Sequence, residues 1–267
     1  MRTMELSARD LSRFQRFAED TARLAGELLK KRFHAAHRVR YKGRIDPVTE
    51  ADVKSERLIT ARLRRAFPGH ALLAEEGSGT GAAAEFQWVV DPLDGTVNYA
   101  HGFPIYCVSI ALQFRGLPAA GAVYDPERDE MFRGARGQGA YCNRTRLRVA
   151  REIDLQRALL ATGFGYNVAT ARRNNLGYFA RMVKRAQGVR RPGSAAIDLC
   201  WLAAGRIDGF WELDLHPWDT AAAVLFIEEA GGKVTRTDGR PFAITDRSIL
   251  AANPRLHASM LKVLSGR

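Results

Sequence analysis

The segment Phe86-Gln-Trp-Val-Val-Asp91-Pro92-Leu93-Asp94-Gly95-Thr96 constrains this chain more than any other. Phe86 to Val90 is a short apolar run of the kind that forms a strand. It ends on a carboxylate, and a tight turn sets a second one beside a Gly-Thr step that reads as the start of a helix. The fold must therefore contain a strand–turn–helix unit with two acids at the turn. Paired carboxylates are hard oxygen ligands that suit Mg²⁺ better than a softer metal. Free backbone N–H groups at a helix start suit a phosphate. Together they are equipment for hydrolysing a phosphate ester.

More acids stand on either side in the chain. Upstream are Asp46-Pro-Val-Thr49-Glu50-Ala-Asp52 and Leu72-Leu-Ala-Glu75-Glu76-Gly77. Downstream, Glu212-Leu-Asp-Leu-His-Pro-Trp218-Asp219 runs on to Glu228-Glu-Ala-Gly231-Gly232.

Leu11, Phe14, Ala18, Ala22, Ala25, Leu28 and Leu29 recur at helical spacing and predict an amphipathic helix from Ser7 to Phe33. A basic, irregular connection, His34 to Asp46, follows. Thr49 to Phe67 predicts a second helix, opened by a Thr-x-x-Asp capping pattern and stopped by Pro68-Gly69. Ala71–Ala74, Phe86–Val90, Val108–Gln113, Ala119–Tyr124 and Met131–Arg133 read as strands joined by Gly and Pro turns. Gly77 to Ala84 is a small-residue loop expected to be mobile. Beyond about Ala150, Leu159–Ala161 and Ile207–Leu213 read as strands. Arg172–Ala186, Gly193–Gly205 and Trp218–Ala230 read as helices, the last ended by Gly231-Gly232. No repeat, low-complexity tract or long linker divides the chain. The alternation predicts a layered, mixed α/β (α+β) protein. It is expected as one domain, residues 7–265, with an N-terminal lobe over 7–149 and a C-terminal lobe over 150–265.

At 267 residues the chain can bury a large core, and 46% hydrophobic with 26% charged residues is an ordinary globular balance. The first thirty residues are studded with charge, so no secretory or membrane-spanning segment is expected, and the reading is cytoplasmic. Cys107, Cys142 and Cys200 lack any Cys-x-x-Cys spacing and read as reduced core thiols, not zinc ligands. A net charge of +12 would draw anionic substrates and favour nonspecific contact with nucleic acid. The arginines are dispersed and not interleaved with aromatics, however, which reads first as solvated helix faces.

On its Asp-Pro-Leu-Asp-Gly-Thr and Trp-Asp…Glu-Ala-Gly-Gly motifs, in this order, the chain resembles the inositol monophosphatase family of Mg²⁺-dependent, lithium-sensitive sugar phosphatases, in its bacterial inositol-1-monophosphatase branch. The resemblance runs from about Leu11 to Leu264. It implies a stacked α/β/α/β/α sandwich shared with fructose-1,6-bisphosphatase, two to three Mg²⁺ per site, and a homodimer. It also implies hydrolysis of inositol monophosphate, or a similar polyol or sugar phosphate, by metal-activated water without a covalent intermediate. Fructose-1,6-bisphosphate, histidinol phosphate and 3′-phosphoadenosine 5′-phosphate are the alternative substrates. Some bacterial relatives also bind the transcription machinery, which a +12 chain would suit.

Carried over residue by residue, the resemblance implies that Asp91 bridges two metals, the Leu93 carbonyl completes the first site, and Asp94 and Asp219 bind the second. Taken alone, Asp91 and Asp94 could be turn residues. Asp219 could be a first-turn acid favoured by the helix dipole. Adjacent strand residues face opposite ways, so only one of Glu75 and Glu76 can face the metals. The family pattern selects Glu75, which also touches a loosely held third metal. Asp52 and Thr96 are implied as the pair that activates water, Asp52 doubling as the capping acid of its helix. Gly95 and Thr96 would offer backbone N–H groups to the phosphate. Glu212, otherwise a strand-end surface acid, and Ala196 would meet the substrate alcohol. Ser194 opens a helix start of small residues that allows close ligand approach, and also reads as an N-cap. Lys42 stands one residue closer to Asp52 than the family spacing, which sets a solvated lysine beside a role at the third metal. Thr162-Gly-Phe-Gly-Tyr166 departs from the animal enzymes, where a small hydroxyl residue assists substrate binding. Trp218 reads as a core anchor, and His70, His101 and His216 as structural or exposed.

Overall fold

The computed structural model describes residues 5–33, 39–41, 47–79 and 84–266. Helix α1 (Ala8–Phe33) buries Leu11, Phe14, Ala18, Ala22, Ala25, Leu29 and Phe33, one stripe of three- and four-residue steps. With α2 (Glu50–Ala66) it covers one face of the larger sheet. A two-stranded ribbon, β1 (Val39–Tyr41) against β2 (Pro47–Thr49), lies between them in the chain. The predicted capping box forms: the Thr49 hydroxyl accepts the N–H groups of Ala51 and Asp52, and Asp52 accepts the Thr49 N–H at 2.8 Å.

The larger sheet follows chain order: β3 (Ala71–Ala74), β4 (Phe86–Asp94), β5 (Cys107–Phe114), β6 (Leu117–Asp125), β7 (Glu130–Ala135), β8 (Ala140–Cys142) and β9 (Thr145–Arg146). Only β3 and β4 run parallel. Side chains alternate between two covered faces. Trp88 and Val90 enter the core under α1 and α2, whereas Val89 enters the core on the other side. The strand does not stop at Val90, as the sequence predicts, but continues to Asp94. What reads as a tight turn is a bulge. Asp91 pairs with Ser109 and Asp94 with Cys107, three steps on β4 against two on β5. Pro92, which has no N–H to give the ladder, sits inside the irregularity. Gly95, at φ 91°, then turns the chain into α3 (Thr96–Ala100).

The second sheet is ordered β11 (Gly188–Arg190), β10 (Leu159–Thr162), β12 (Gly209–Leu213), β14 (Ser248–Ala252) and β13 (Lys233–Thr235), with β14 antiparallel to both neighbours. Helices α4 (Leu176–Val183) and α7 (Pro254–Leu264) cover its outer face through Met182, Leu256 and Met260. Helices α5 (Ala195–Ala203) and α6 (Pro217–Glu229) pack together between the two sheets. The five layers are those the resemblance implies. On β12, Trp211 joins the outer core and Phe210 the inner one, so Glu212, two residues on from Phe210, faces the α5–α6 layer.

Several boundaries differ from the sequence reading. α4 starts at Leu176, not Arg172, because Asn175 is buried and committed elsewhere. Its amide donates to the Thr162 hydroxyl (2.7 Å) and the Gly163 carbonyl (2.6 Å), and accepts the Trp211 indole N–H (2.7 Å). β12 starts at Gly209 and α5 at Ala195, each two residues later than predicted. The Gly231-Gly232 stop is as expected. Gly231 sits at φ 84° and donates to the Glu228 carbonyl, and Gly232 donates to that of Ile227, which satisfies two helix-end carbonyls. Residues 34–38, 42–46 and 80–83, which hold most of the basic connection, Lys42 and part of the Gly77–Ala84 loop, lie outside the described residues. Among the described residues no helix is long and apolar enough to cross a membrane.

Candidate active site

Strand ends and helix starts converge on one cavity of about 430 Å³. The β4 bulge delivers Asp91 and Asp94, the first turn of α6 delivers Asp219, and their carboxylate oxygens lie within 4.8 Å of one another. Glu75, just past β3, and Leu93 line the same cavity. Each of the three aspartates is seated by an internal donor. Asp91 accepts the Leu93 N–H at 3.0 Å, and Asp219 accepts the His216 N–H at 2.7 Å. Asp94 accepts the Ser194 hydroxyl at 2.6 Å and the Ala196 N–H at 2.7 Å.

Burial pushes the Asp91 carboxyl well above the usual range, and the charges of Glu75, Asp94 and Asp219 push it further. Burial likewise raises Asp219 strongly, followed by Asp94. Asp94 is raised by burial against the pull of its hydrogen bonds from Ser194 and nearby backbone N–H groups. Among the described residues none of the three ion-pairs with a lysine or arginine. Converging anions with no ion-paired counter-charge among the described residues, all with hard oxygen donors, fit a small divalent cation. The nearby Cys107 thiol, 3.9 Å from Asp94, has its pKa pushed well up by burial and is no competing soft ligand. All three cysteines are buried and free.

Asp52 is wholly buried at the start of α2, and Thr96 donates to it across 3.0 Å. The same hydroxyl lies 3.0 Å from the Leu93 carbonyl. A hydroxyl has one proton, so a cation on that carbonyl would commit it to Asp52 and leave the oxygen lone pairs to the cavity. Burial raises the Asp52 carboxyl, opposed by its bonds from Thr49 and Thr96. The capping bonds from Thr49 and the bond from Thr96 therefore coexist on one carboxylate.

Glu212 is 8% exposed and lines the cavity. Burial pushes its carboxyl up to about 8, with Arg191 opposing. A Cβ on Gly163 would lie 2.2 Å from the Glu212 carboxylate, so the glycine leaves the room that Glu212 occupies. This gives the Thr162–Tyr166 stretch a clear part in the site. Ser194 caps α5 by accepting the Ile197 N–H, and its own proton goes to Asp94. Ala196 is fully buried, its N–H aimed at Asp94, and Ala195 is the alanine that lines the cavity. Trp218, expected as a core anchor, is half-buried on the cavity wall and stacked on His216 at 4.8 Å. His70 accepts the Trp88 indole N–H in an aromatic cluster.

Sequence reasoning passed over several residues. Glu56, 2% exposed, holds the backbone N–H groups of Glu76 and Ser78 and so fixes the loop that carries Glu75. The Asn98 amide bridges the carbonyls of Ile105 and Pro192, tying α3 to the approach of α5. Asp198 and Arg191 complete the cavity wall. The one visible signal was Asp198, a single acid in an otherwise apolar helix.

A family model, that of the inositol monophosphatase family, matches residues 10–266. The inositol-1-monophosphatase of Synechocystis sp. is 40% identical over 261 residues, which cover 97% of this chain and 91% of that protein. Nus factor SuhB of Pseudomonas aeruginosa is 42% identical over 253 residues, 91% of this chain and 92% of that one. The solved structure of inositol monophosphatase from Anabaena (Nostoc) sp. superposes with a TM-score of 0.88 at 42% identity, over 96% of this chain and 97% of that one.

Proposed function

This chain belongs to the inositol monophosphatase family and is a phosphatase of that type, and on that premise we propose that it hydrolyses inositol monophosphate, or a closely similar polyol phosphate, with Mg²⁺. The observation that carries the reading is the convergence of Asp91, Asp94 and Asp219 within 4.8 Å beside the buried Thr96–Asp52 pair. These three carboxylates, Glu75 and the Leu93 carbonyl would hold the cations. Bound cations supply the charge that polarises a water and the phosphoryl oxygens. Thr96 orients the water, and its proton passes through the threonine hydroxyl toward Asp52, which burial makes a better base than free aspartate. Backbone N–H groups of Gly95 and Thr96 meet the phosphate. Glu212 accepts hydrogen bonds from two neighbouring hydroxyls of the alcohol. Ser194 and the Ala196 N–H act one step back, by aiming Asp94.

The test is phosphate release from inositol monophosphate, fructose-1,6-bisphosphate, histidinol phosphate and 3′-phosphoadenosine 5′-phosphate with Mg²⁺, with and without Li⁺ and EDTA. Inositol monophosphate is expected to be turned over fastest, and both Li⁺ and EDTA to suppress it. A faster second ester would reassign the substrate, and indifference to EDTA would remove the metal from the mechanism. The family likeness also supports a homodimer, which light scattering would check. A second role in nucleic-acid or transcription-machinery contact is favoured by the Nus factor relative at 42% identity and by the +12 charge. Co-purified RNA, seen as a high 260/280 absorbance ratio and lost at high salt, would support it.

A further inference from the structure

Asp198, the fourth residue of α5, is 1% exposed and lines the same cavity as Glu212. Its Oδ1 has no hydrogen-bond partner, and Glu212 also accepts no hydrogen bond from the described residues. Beyond burial, the charges that act on Asp198 are those of Glu212 and Asp94, which raise its carboxyl, and of Arg191, which opposes them. Arg191 makes no ion pair with either acid at contact distance. A buried carboxyl without a donor weakens a fold, so one retained in an apolar helix calls for a reason. Asp198 stands four residues after Ser194, and so on the same face of α5 one turn further along. Ser194 is spent on Asp94, while Asp198 lines the cavity wall with its buried Oδ1 unpartnered. Two acids on two elements, α5 and β12, thus line one cavity with acceptor capacity and no donor among the described residues. A ligand rich in hydroxyl donors supplies what both lack.

We propose that Asp198 is a second specificity-determining residue, hydrogen-bonding a hydroxyl adjacent to those held by Glu212, so that the pair selects phosphate esters of alcohols with several neighbouring hydroxyls. This rests on the assignment of Glu212 to the substrate alcohol. The test compares wild type, Asp198→Ala, Asp198→Asn and Glu212→Gln on inositol monophosphate and p-nitrophenyl phosphate, with Tm measured for each. Asp198→Ala should raise KM for inositol monophosphate about tenfold with kcat within about twofold, and change p-nitrophenyl phosphate constants far less. Its Tm should not fall, since the variant removes an unpaired buried group. Asp198→Asn, which keeps a donor and an acceptor, should recover most of the loss. Equal losses on both substrates, a lowered Tm without substrate bias, or an unchanged KM would each overturn the proposal. If the wild type shows no preference for inositol monophosphate, the Glu212 assignment falls along with it. If Glu212→Gln erases that preference and Asp198→Ala keeps it, the Asp198 proposal alone falls.

Discussion

Asp52, Asp91, Asp94 and Asp219 each accept a hydrogen bond from within the fold, whereas Glu212 and Asp198, on the wall formed by β12 and α5, accept none from the described residues. The first group is fixed before anything binds: a bulge, a helix cap and two helix first turns set each carboxylate. Such pre-organisation suits groups that must hold position while charge moves. The second group keeps its acceptors free, which suits recognition of a partner that brings donors. Burial raises the pKa of both groups, so the contrast lies in geometry and not in charge.

The comparison breaks most sharply at Asp91. Asp91→Asn should abolish turnover while the fold persists, because Asn keeps the shape and an acceptor for the Leu93 N–H. Near-normal phosphate release from that variant would dismiss the seated group as the reaction centre. Next in size, Thr96→Ala should cost on the order of 10²-fold in kcat with KM nearly constant, the scale for losing positioned proton transfer. A raised KM at normal kcat would move Thr96 to phosphate binding. Glu212→Gln should lower efficiency on inositol monophosphate by about one to two decades, from charge-assisted hydrogen bonds worth roughly 1.5–3 kcal/mol. Its effect on p-nitrophenyl phosphate should be far smaller. Parallel losses on both esters would place Glu212 with the seated acids.

The smallest effect concerns pH. A carboxyl raised in the folded state stabilises below its unfolded pKa, and that stability is lost as pH climbs through the folded value. Asp91, Asp94, Asp219 and Glu212 all act in this direction, Glu212 reaching about 8. His257 acts oppositely: burial lowers it to about 4, so its contribution is lost as pH falls from about 6.5 toward 4. Between pH 6.5 and 8 the acids govern, and Tm of metal-free protein should fall by roughly 5 °C. Saturating Mg²⁺ should cancel the slope, because it binds the deprotonated carboxylates. A slope that EDTA and Mg²⁺ leave alike would mean that these carboxylates do not hold the cation.

Much of this was legible in the chain. The α1 stripe, the Thr49–Asp52 capping box, the glycine stop after α6 and the Asp91/Asp94 pair are statements about neighbours a few residues apart. Local periodicity and local hydrogen bonding set them, so the order of residues was enough. The β4 bulge could not be read, because the extra residue exists only against the register of β5. Nor could the late start of α4, which waits on Asn175 meeting Thr162 and Trp211 from two other strands. Glu212 and Asp198 carry no motif that says they share a cavity. The packing of α5 against β12 brings them together, and Gly163 makes the space. The sequence alone determined a layered, mixed α/β protein with the Asp91/Asp94 pair at a strand end before a helix, because short-range patterns encode both, while the five-layer stack was implied by the family resemblance. Tertiary structure alone decided which acids were left unpaired, because an unmade hydrogen bond depends on every element that could have supplied its donor.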